Sequence, residues 1–166
     1  MKYYTGIGSR KTPKQILDLM TSIAIKLSTL NYILRSGGAI GADIAFENGA
    51  DPTKCKIYKA NDATIETFQI AQKFHPAWEK CSNYVQKLHA RNVFQILGDD
   101  LKTPSNFVIC WTPDGAINHI QRSIKTGGTG LAISIAYSYN IPVFNLQRLD
   151  HRNKLINFCQ KNSNKK

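Results

Sequence analysis

The segment Ser36-Gly37-Gly38-Ala39-Ile40-Gly41-Ala42-Asp43 restricts this chain more than any other. It sets three glycines between an apolar run, residues 32–34, and a stretch of helical spacing, residues 40–48. Glycine lets the backbone approach a ligand closely, and the free N–H groups where a helix begins favour an anion such as phosphate. A strand that feeds a helix through such a turn is the working part of a nucleotide-binding α/β unit. Two further stretches have the same character. Gly6-Ile7-Gly8-Ser9-Arg10 follows the first predicted strand, and Thr126-Gly127-Gly128-Thr129-Gly130 opens a late helix.

Periodicity places the other elements. Residues 3–7 read as a strand, and Thr12-Pro13 as an N-cap with proline at the first helical position. The helix they open carries Ile16, Leu17, Met20, Ile23, Ala24 and Leu27 on one face. Residues 32–35 and 54–58 are predicted strands, and Asn61-Asp62 is expected to cap a helix that His75-Pro76 breaks. Val85, Leu88, Val93, Ile96 and Leu97 outline a helix that ends at Gly98. Phe107-Val108-Ile109-Cys110-Trp111 is an unbroken apolar run between Pro104 and Pro113, which suits a strand buried on both faces at the centre of a parallel sheet. A helix over 131–139, a strand over 141–145 and a helix over 150–160 complete the alternation. The fold class is therefore α/β: a doubly wound, mostly parallel Rossmann-like sheet with helices on both faces. One domain is expected over residues 1–160, followed by a basic tail, residues 161–166.

Such sheets bind ligands beyond the carboxyl ends of their strands, where all three glycine loops fall. Gly8, Ser9, Arg10, Ser36, Gly37, Gly38, Asp43, Gly127, Gly128, Thr129 and Gly130 are expected to line one pocket. The N–H groups of both GG turns and the Ser9 and Thr129 hydroxyls would hold phosphate, with Arg10 as countercharge. Asp43 either takes a ribose hydroxyl or fixes the glycine loop. Trp78, with Tyr84 near it, and Trp111 are candidates for stacking on a base.

Among 166 residues, 22 are Lys or Arg and 11 are Asp or Glu, a net charge of +11 that points to an anionic partner, nucleotide or nucleic acid. No secretory leader and no apolar run of the roughly 20 residues that span a bilayer is present, so a soluble, cytoplasmic protein with no membrane partner is expected. Cys55, Cys81, Cys110 and Cys159 show no CxxC or other metal-ligand spacing. Reduced thiols, no metal and no cofactor follow as expectations.

Taken together the loops resemble a known family. Ser36-Gly37-Gly38-Ala39 with Gly41 and Asp43 resembles the SGGAxGxD loop of DNA-processing protein A, and Gly6 to Arg10 resembles that family's first-strand loop. With the later GGxGT turn they mark the SLOG superfamily, which also holds the Lonely Guy phosphoribohydrolases and ligand-sensing domains of bacterial immune systems. The chain is most similar in motif to small stand-alone proteins of this kind from bacterial viruses, over roughly residues 3–145. The resemblance implies a phosphate-holding arginine, and Arg91 stands at its position. The superfamily's hydrolases carry PGGxGTxxE, whose glutamate works on the ribosyl bond. Here Ser134 takes its place, and a neutral hydroxyl cannot supply carboxylate chemistry.

No catalytic residue is therefore expected, unless Glu47, Glu79 or Asp114 provides a relocated carboxylate. The leading expectation is non-catalytic binding, and sequestration, of a nucleotide or nucleotide-derived signal such as a cyclic nucleotide or an ADP-ribose derivative. The viral setting of the resemblance makes that an anti-defence role in the host cytoplasm. The alternatives are single-stranded DNA binding of the DNA-processing protein A kind, and a nucleotide N-glycosidase or phosphoribohydrolase with a displaced carboxylate. The apolar faces of residues 88–97 and 133–139 exceed what one small sheet needs, so a homo-oligomer, at least a dimer, is expected.

Overall fold

The computed structural model describes residues 1–162. Strands Lys2–Gly6 (β1), Tyr32–Ser36 (β2), Cys55–Ile57 (β3), Phe107–Cys110 (β4) and Val143–Asn145 (β5) form one sheet, all parallel, in the order β3-β2-β1-β4-β5. Between them run helices Lys14–Thr29 (α1), Ala42–Gly49 (α2), Ile65–Phe74 (α3), Asn83–Leu97 (α4) and Thr129–Ser138 (α5), and Leu149–Lys161 (α6) follows β5.

Two cores flank the sheet because successive side chains of a strand point to opposite faces. Ile109 and Trp111 join Tyr4, Leu34 and the inner faces of α1, α2 and α6. Val108 and Cys110 join Val143 and the inner faces of α3, α4 and α5. The doubly wound α/β architecture read from the sequence is the one observed. The centre of the sheet differs. β1 occupies it, and β4 lies between β1 and β5. The C-terminal half of β1, Tyr4 to Gly6, is as buried as β4 although it carries Thr5, whose hydroxyl donates to Gln95 O, lies 2.9 Å from Ser105 Oγ and so is satisfied inside the core.

Local chemistry moves several boundaries. Thr12 does not cap α1: its Oγ1 donates to Ser9 O (2.6 Å), and the helix begins after Pro13 without a side-chain cap. Asn61-Asp62 belongs to a short 3-10 turn, Ala60–Asp62, and Thr64 caps α3 through reciprocal bonds with Thr67. The expected dimer faces are covered within the chain. Val93, Ile96, Leu97, Ile133, Ile135 and Ala136 share one core with the sheet, while Tyr137 and Tyr139 stay exposed. Of the expected basic tail, Lys161 ends α6 and residues 163–166 lie outside the described residues. Among the described residues, no helix is long and apolar enough to cross a membrane.

One buried cation ties the halves of the sheet together. Arg35 in β2 is 1% exposed, and its Nη1 donates to Thr103 O (2.7 Å) and Ser105 Oγ (3.3 Å). Its guanidinium lies 3.9 Å from the centroid of the Tyr3 ring, a cation–π contact. Gly98, at φ +83°, leaves the room this needs, since a Cβ there would stand 2.5 Å from Arg35 Nη2.

Candidate ligand-binding edge

Strand order reverses between β1 and β4, and the crevice beyond their carboxyl ends is where this fold class places ligands. The chain after β1 continues along β4, with Ile7 N–H donating to Ile109 O and Ser9 N–H to Trp111 O, both at 3.1 Å. A Cβ at Gly8 would lie 2.7 Å from Ala42 Cβ, and one at Gly41, whose φ is +99°, would lie 2.9 Å from Arg10 Cα and Ser9 O. These glycines serve the close approach of one loop to another.

The GG turn after β2 is filled from within. Gly37 N–H donates to Asp43 Oδ2 (3.1 Å), and Gly38 N–H (2.9 Å) and Ser36 Oγ (2.6 Å) both donate to Glu47 Oε1. A Cβ on Gly37 would fall 1.2 Å from Arg91 Nη1, so the guanidinium occupies the space that the missing side chain leaves. This corrects the expectation that both GG turns present their N–H groups to phosphate: here two carboxylates already accept them. Arg91 is 7% exposed and is anchored by Nη1 to Tyr58 O and by Nε to Leu88 O, both at 3.2 Å. Asp43 does fix the loop through Oδ2, but its Oδ1 is buried without a partner among the described residues. Burial raises the Asp43 pKa to about 6, against the opposing pull of the Arg91 charge and the Ala39 and Gly37 N–H groups.

The second GG turn is open. Among the described residues nothing lies within 4 Å of where a Gly127 Cβ would be, and the nearest atom to that of Gly128 is His89 Cε1 at 3.8 Å. Gly128 caps α5, and the N–H groups of Gly127 and Gly128 donate to no acceptor among the described residues. Burial, with the charges of His75, Arg122 and Arg91, lowers the His89 pKa to about 4, so its ring is neutral at pH 7.

Behind this turn the space around Ser134 is closed. Ser134 is 2% exposed and accepts a bond from Arg122 Nη1 (2.8 Å), which also donates to Phe74 O (3.1 Å). Arg122 covers Gly130, whose Cβ would lie 2.5 Å from its Nε. The relocated carboxylates fare no better. Glu47 holds the first turn, and Glu79 is exposed, accepting from Gln72 Nε2 (3.3 Å). Asp114 is pushed up by burial, yet hydroxyl donors from Ser123, Thr126 and Thr112 outweigh this and hold its pKa near 2. It stays ionised as the anchor of the loop before α5.

Two cavities open along this edge, about 590 and about 650 Å³ in volume, and they share Arg10, Ala39, Leu88 and Arg91. Helix α4 forms the ridge between them. Tyr84, Leu88 and Arg91, at i, i+4 and i+7, face the first, together with Gly37, Gly38, Ile57 and Lys59. Val85, His89 and Asn92 face the second, together with Gly8, Ser9, Asp43, Pro113 and residues 124–129. The expected single pocket is thus divided: Gly37 and Gly38 line the first cavity, Gly8, Ser9, Asp43, Gly127, Gly128 and Thr129 the second, and Arg10 and Arg91 both, while Ser36 and Gly130 lie behind the walls.

Neither tryptophan lines either of these two cavities. Trp78 packs edge-on against Phe68 and His75 in the α3–α4 core, and Trp111 is 6% exposed with Nε1 donating to Gln147 Oε1 (3.0 Å). The apolar groups that do stand free at the rim are Tyr84, Ile40 and Ile124, at 64%, 79% and 100% exposure. The two isoleucines and the lysines Lys59 and Lys125 were not singled out by sequence reasoning. The stripe Tyr84-Leu88-Arg91 was readable as an apolar and cationic face at helical spacing.

No protein-family model matches the chain, and no curated protein matches it in sequence. Among solved structures it is similar in fold to DNA processing protein A from Helicobacter pylori, a protein whose structure describes a single-stranded DNA binding mode. The TM-score is 0.54 at 21% identity, over 96% of this chain and 73% of that one.

Proposed function

We propose that the edge binds single-stranded DNA through its phosphates. The observation that carries this is the pair of cavities joined through Arg10 and Arg91. Each falls in the range of about 300–1,000 Å³ that takes one small ligand, and together they make a trough for more than one nucleotide. Phosphate would sit against the open N–H groups of Gly127 and Gly128 and the free part of the Arg91 fork. Exposed Tyr84 offers a face for a base, a contact of about 1–3 kcal/mol. The unpartnered Oδ1 of Asp43 suits a donor N–H of a base edge. A net charge of +11 and the likeness in fold to a single-stranded DNA binder support the reading.

A second reading, capture of one nucleotide-derived signal in the anti-defence role that the sequence resemblance implies, is favoured by one feature. The second cavity alone combines the open GG turn, Asp43 and Arg91. Salt separates the two. Oligonucleotide affinity measured by fluorescence anisotropy should fall with log salt at a slope of about −0.7 per phosphate neutralised, several phosphates being engaged. Failure to bind oligonucleotides at low salt, with salt-insensitive binding of a single nucleotide, would replace the first reading by the second.

A further inference from the structure

We propose that His75, Cys81 and His89 form a binding site for a transition-metal ion of the zinc class, beside the second cavity. The three residues follow the pattern H-x5-C-x7-H. His75 terminates α3, Cys81 precedes the Ser82 cap of α4, and His89 lies within that helix. One donor atom from each lies within 4.8 Å of the others. Cys81 Sγ is 3.7 Å from His75 Nε2, and the two imidazole centroids are 4.5 Å apart.

Zinc bound tetrahedrally, at about 2.3 Å from sulfur and about 2.0 Å from nitrogen, keeps such donors about 3.3–3.5 Å apart. Small side-chain rotations bring this trio to that spacing. A thiolate with imidazoles is the donor set such an ion takes, and three protein ligands leave its fourth position open. All three residues are half-buried, so an ion could enter. His89 belongs both to the cluster and to the cavity wall beside Gly128. The site is independent of what the edge binds.

Without metal, Ala77 N–H donates to His75 Nδ1 (3.1 Å), so Nε2 carries the ring proton and faces the sulfur, while Cys81 Sγ donates to Ala77 O (3.6 Å). On binding, the Cys81 thiol gives its proton to solvent and the His75 proton passes from Nε2 to Nδ1. The Ala77 N–H bond is given up, and one proton is released per divalent ion. The cations facing the cluster are Arg122, held by Phe74 O and Ser134 Oγ, and on the His89 side Arg91, and the Cys81 thiolate offsets part of their charge.

The test uses the whole chain, stripped with a chelator and titrated with Co²⁺. One equivalent should bring up the visible bands of a tetrahedral ion and a thiolate-to-cobalt charge-transfer band, and Zn²⁺ should abolish both. Calorimetry in two buffers of different protonation enthalpy should report one proton released. Partners that only orient ligands cost about 10–100-fold in affinity when removed, so Cys81→Ser and His89→Asn should each weaken Zn²⁺ binding at least about 100-fold. Circular dichroism checks that the variants fold, and the cobalt spectrum of the parent decides the matter if one does not. Absence of the charge-transfer band in the parent, or Zn²⁺ affinity unchanged in folded Cys81→Ser, would overturn the site.

Discussion

The two GG turns look alike in sequence and are used in opposite ways. The turn at Gly37 and Gly38 is saturated, its N–H groups accepted by Asp43 and Glu47 and its vacant side-chain position filled by Arg91. The turn at Gly127 and Gly128 keeps its N–H groups and its side-chain space open to the second cavity. A glycine can be required by a ligand, by a positive φ or by another side chain of the same molecule, and only the third reason applies at Gly37. The first turn therefore positions a cation, and under the proposed function the second would receive the anion that the cation attracts.

Gly37→Ala should do the greatest damage, because its Cβ would overlap the guanidinium of Arg91. We expect a loss of about 3 kcal/mol in urea unfolding, the upper part of the overpacking range, together with loss of oligonucleotide binding. A variant as stable and as tight as the parent would show that Arg91 is not locked there. Asp43→Asn comes next and separates loop-fixing from charge. The folded pKa near 6 lies above the ordinary aspartate value of 3.8, so the native state holds a proton that the unfolded chain has lost between those values. This group's contribution to stability is present below about pH 4 and falls as pH rises through 6, by about 3 kcal/mol in all. The variant keeps an acceptor for the Gly37 N–H. Its stability relative to the parent should therefore climb by about that amount from pH 4 to 7, and a difference independent of pH would refute the assignment.

Arg91→Ala removes a charge-assisted contact worth about 1.5–3 kcal/mol, a 10- to 150-fold loss of oligonucleotide affinity with a salt slope shallower by about 0.7. An unchanged slope would mean that Arg91 meets no phosphate. Smallest is Gly128→Ala, since the residue sits at φ −62° and meets nothing closer than 3.8 Å. Stability should stay within about 0.5 kcal/mol while oligonucleotide affinity drops. Equal affinity would move the anion away from the open turn.

The architecture was legible because its signals are local. The helical stripe from Ile16 to Leu27 and the apolar run at 107–111 each state their own environment, and the carboxyl-edge location of the loops follows from topology. What was not legible depends on which distant group fills a space. Nothing near Gly37 in sequence says that Arg91 lies on it, and Arg35 reads as an ordinary polar end of a strand although it is buried on Tyr3. The same limit sent Trp78 and Trp111 to the wrong role. A large aromatic beside a loop has the same sequence whether it faces a ligand or plugs a core, and here Phe68 and Gln147 claim them. The H-x5-C-x7-H pattern escaped because its ligands converge only once α3 and α4 pack against each other.

The central place of β1 bears on how the chain is made. Tyr3 O accepts from Asn106 N–H, and Tyr3 N–H donates to Asn106 Oδ1 across 103 residues. One side of β1 can pair with β2 early, but its other side waits for β4. At about 5–20 residues per second, a ribosome leaves that edge uncovered for roughly 5 to 20 s. During that interval the half-sheet β3-β2-β1 presents unpaired N–H and C=O groups over an apolar face, a template for pairing with a neighbouring nascent chain. A burden on chaperones during synthesis is thus built into the strand order, and slowing translation ahead of residue 107 should lower the yield of soluble protein.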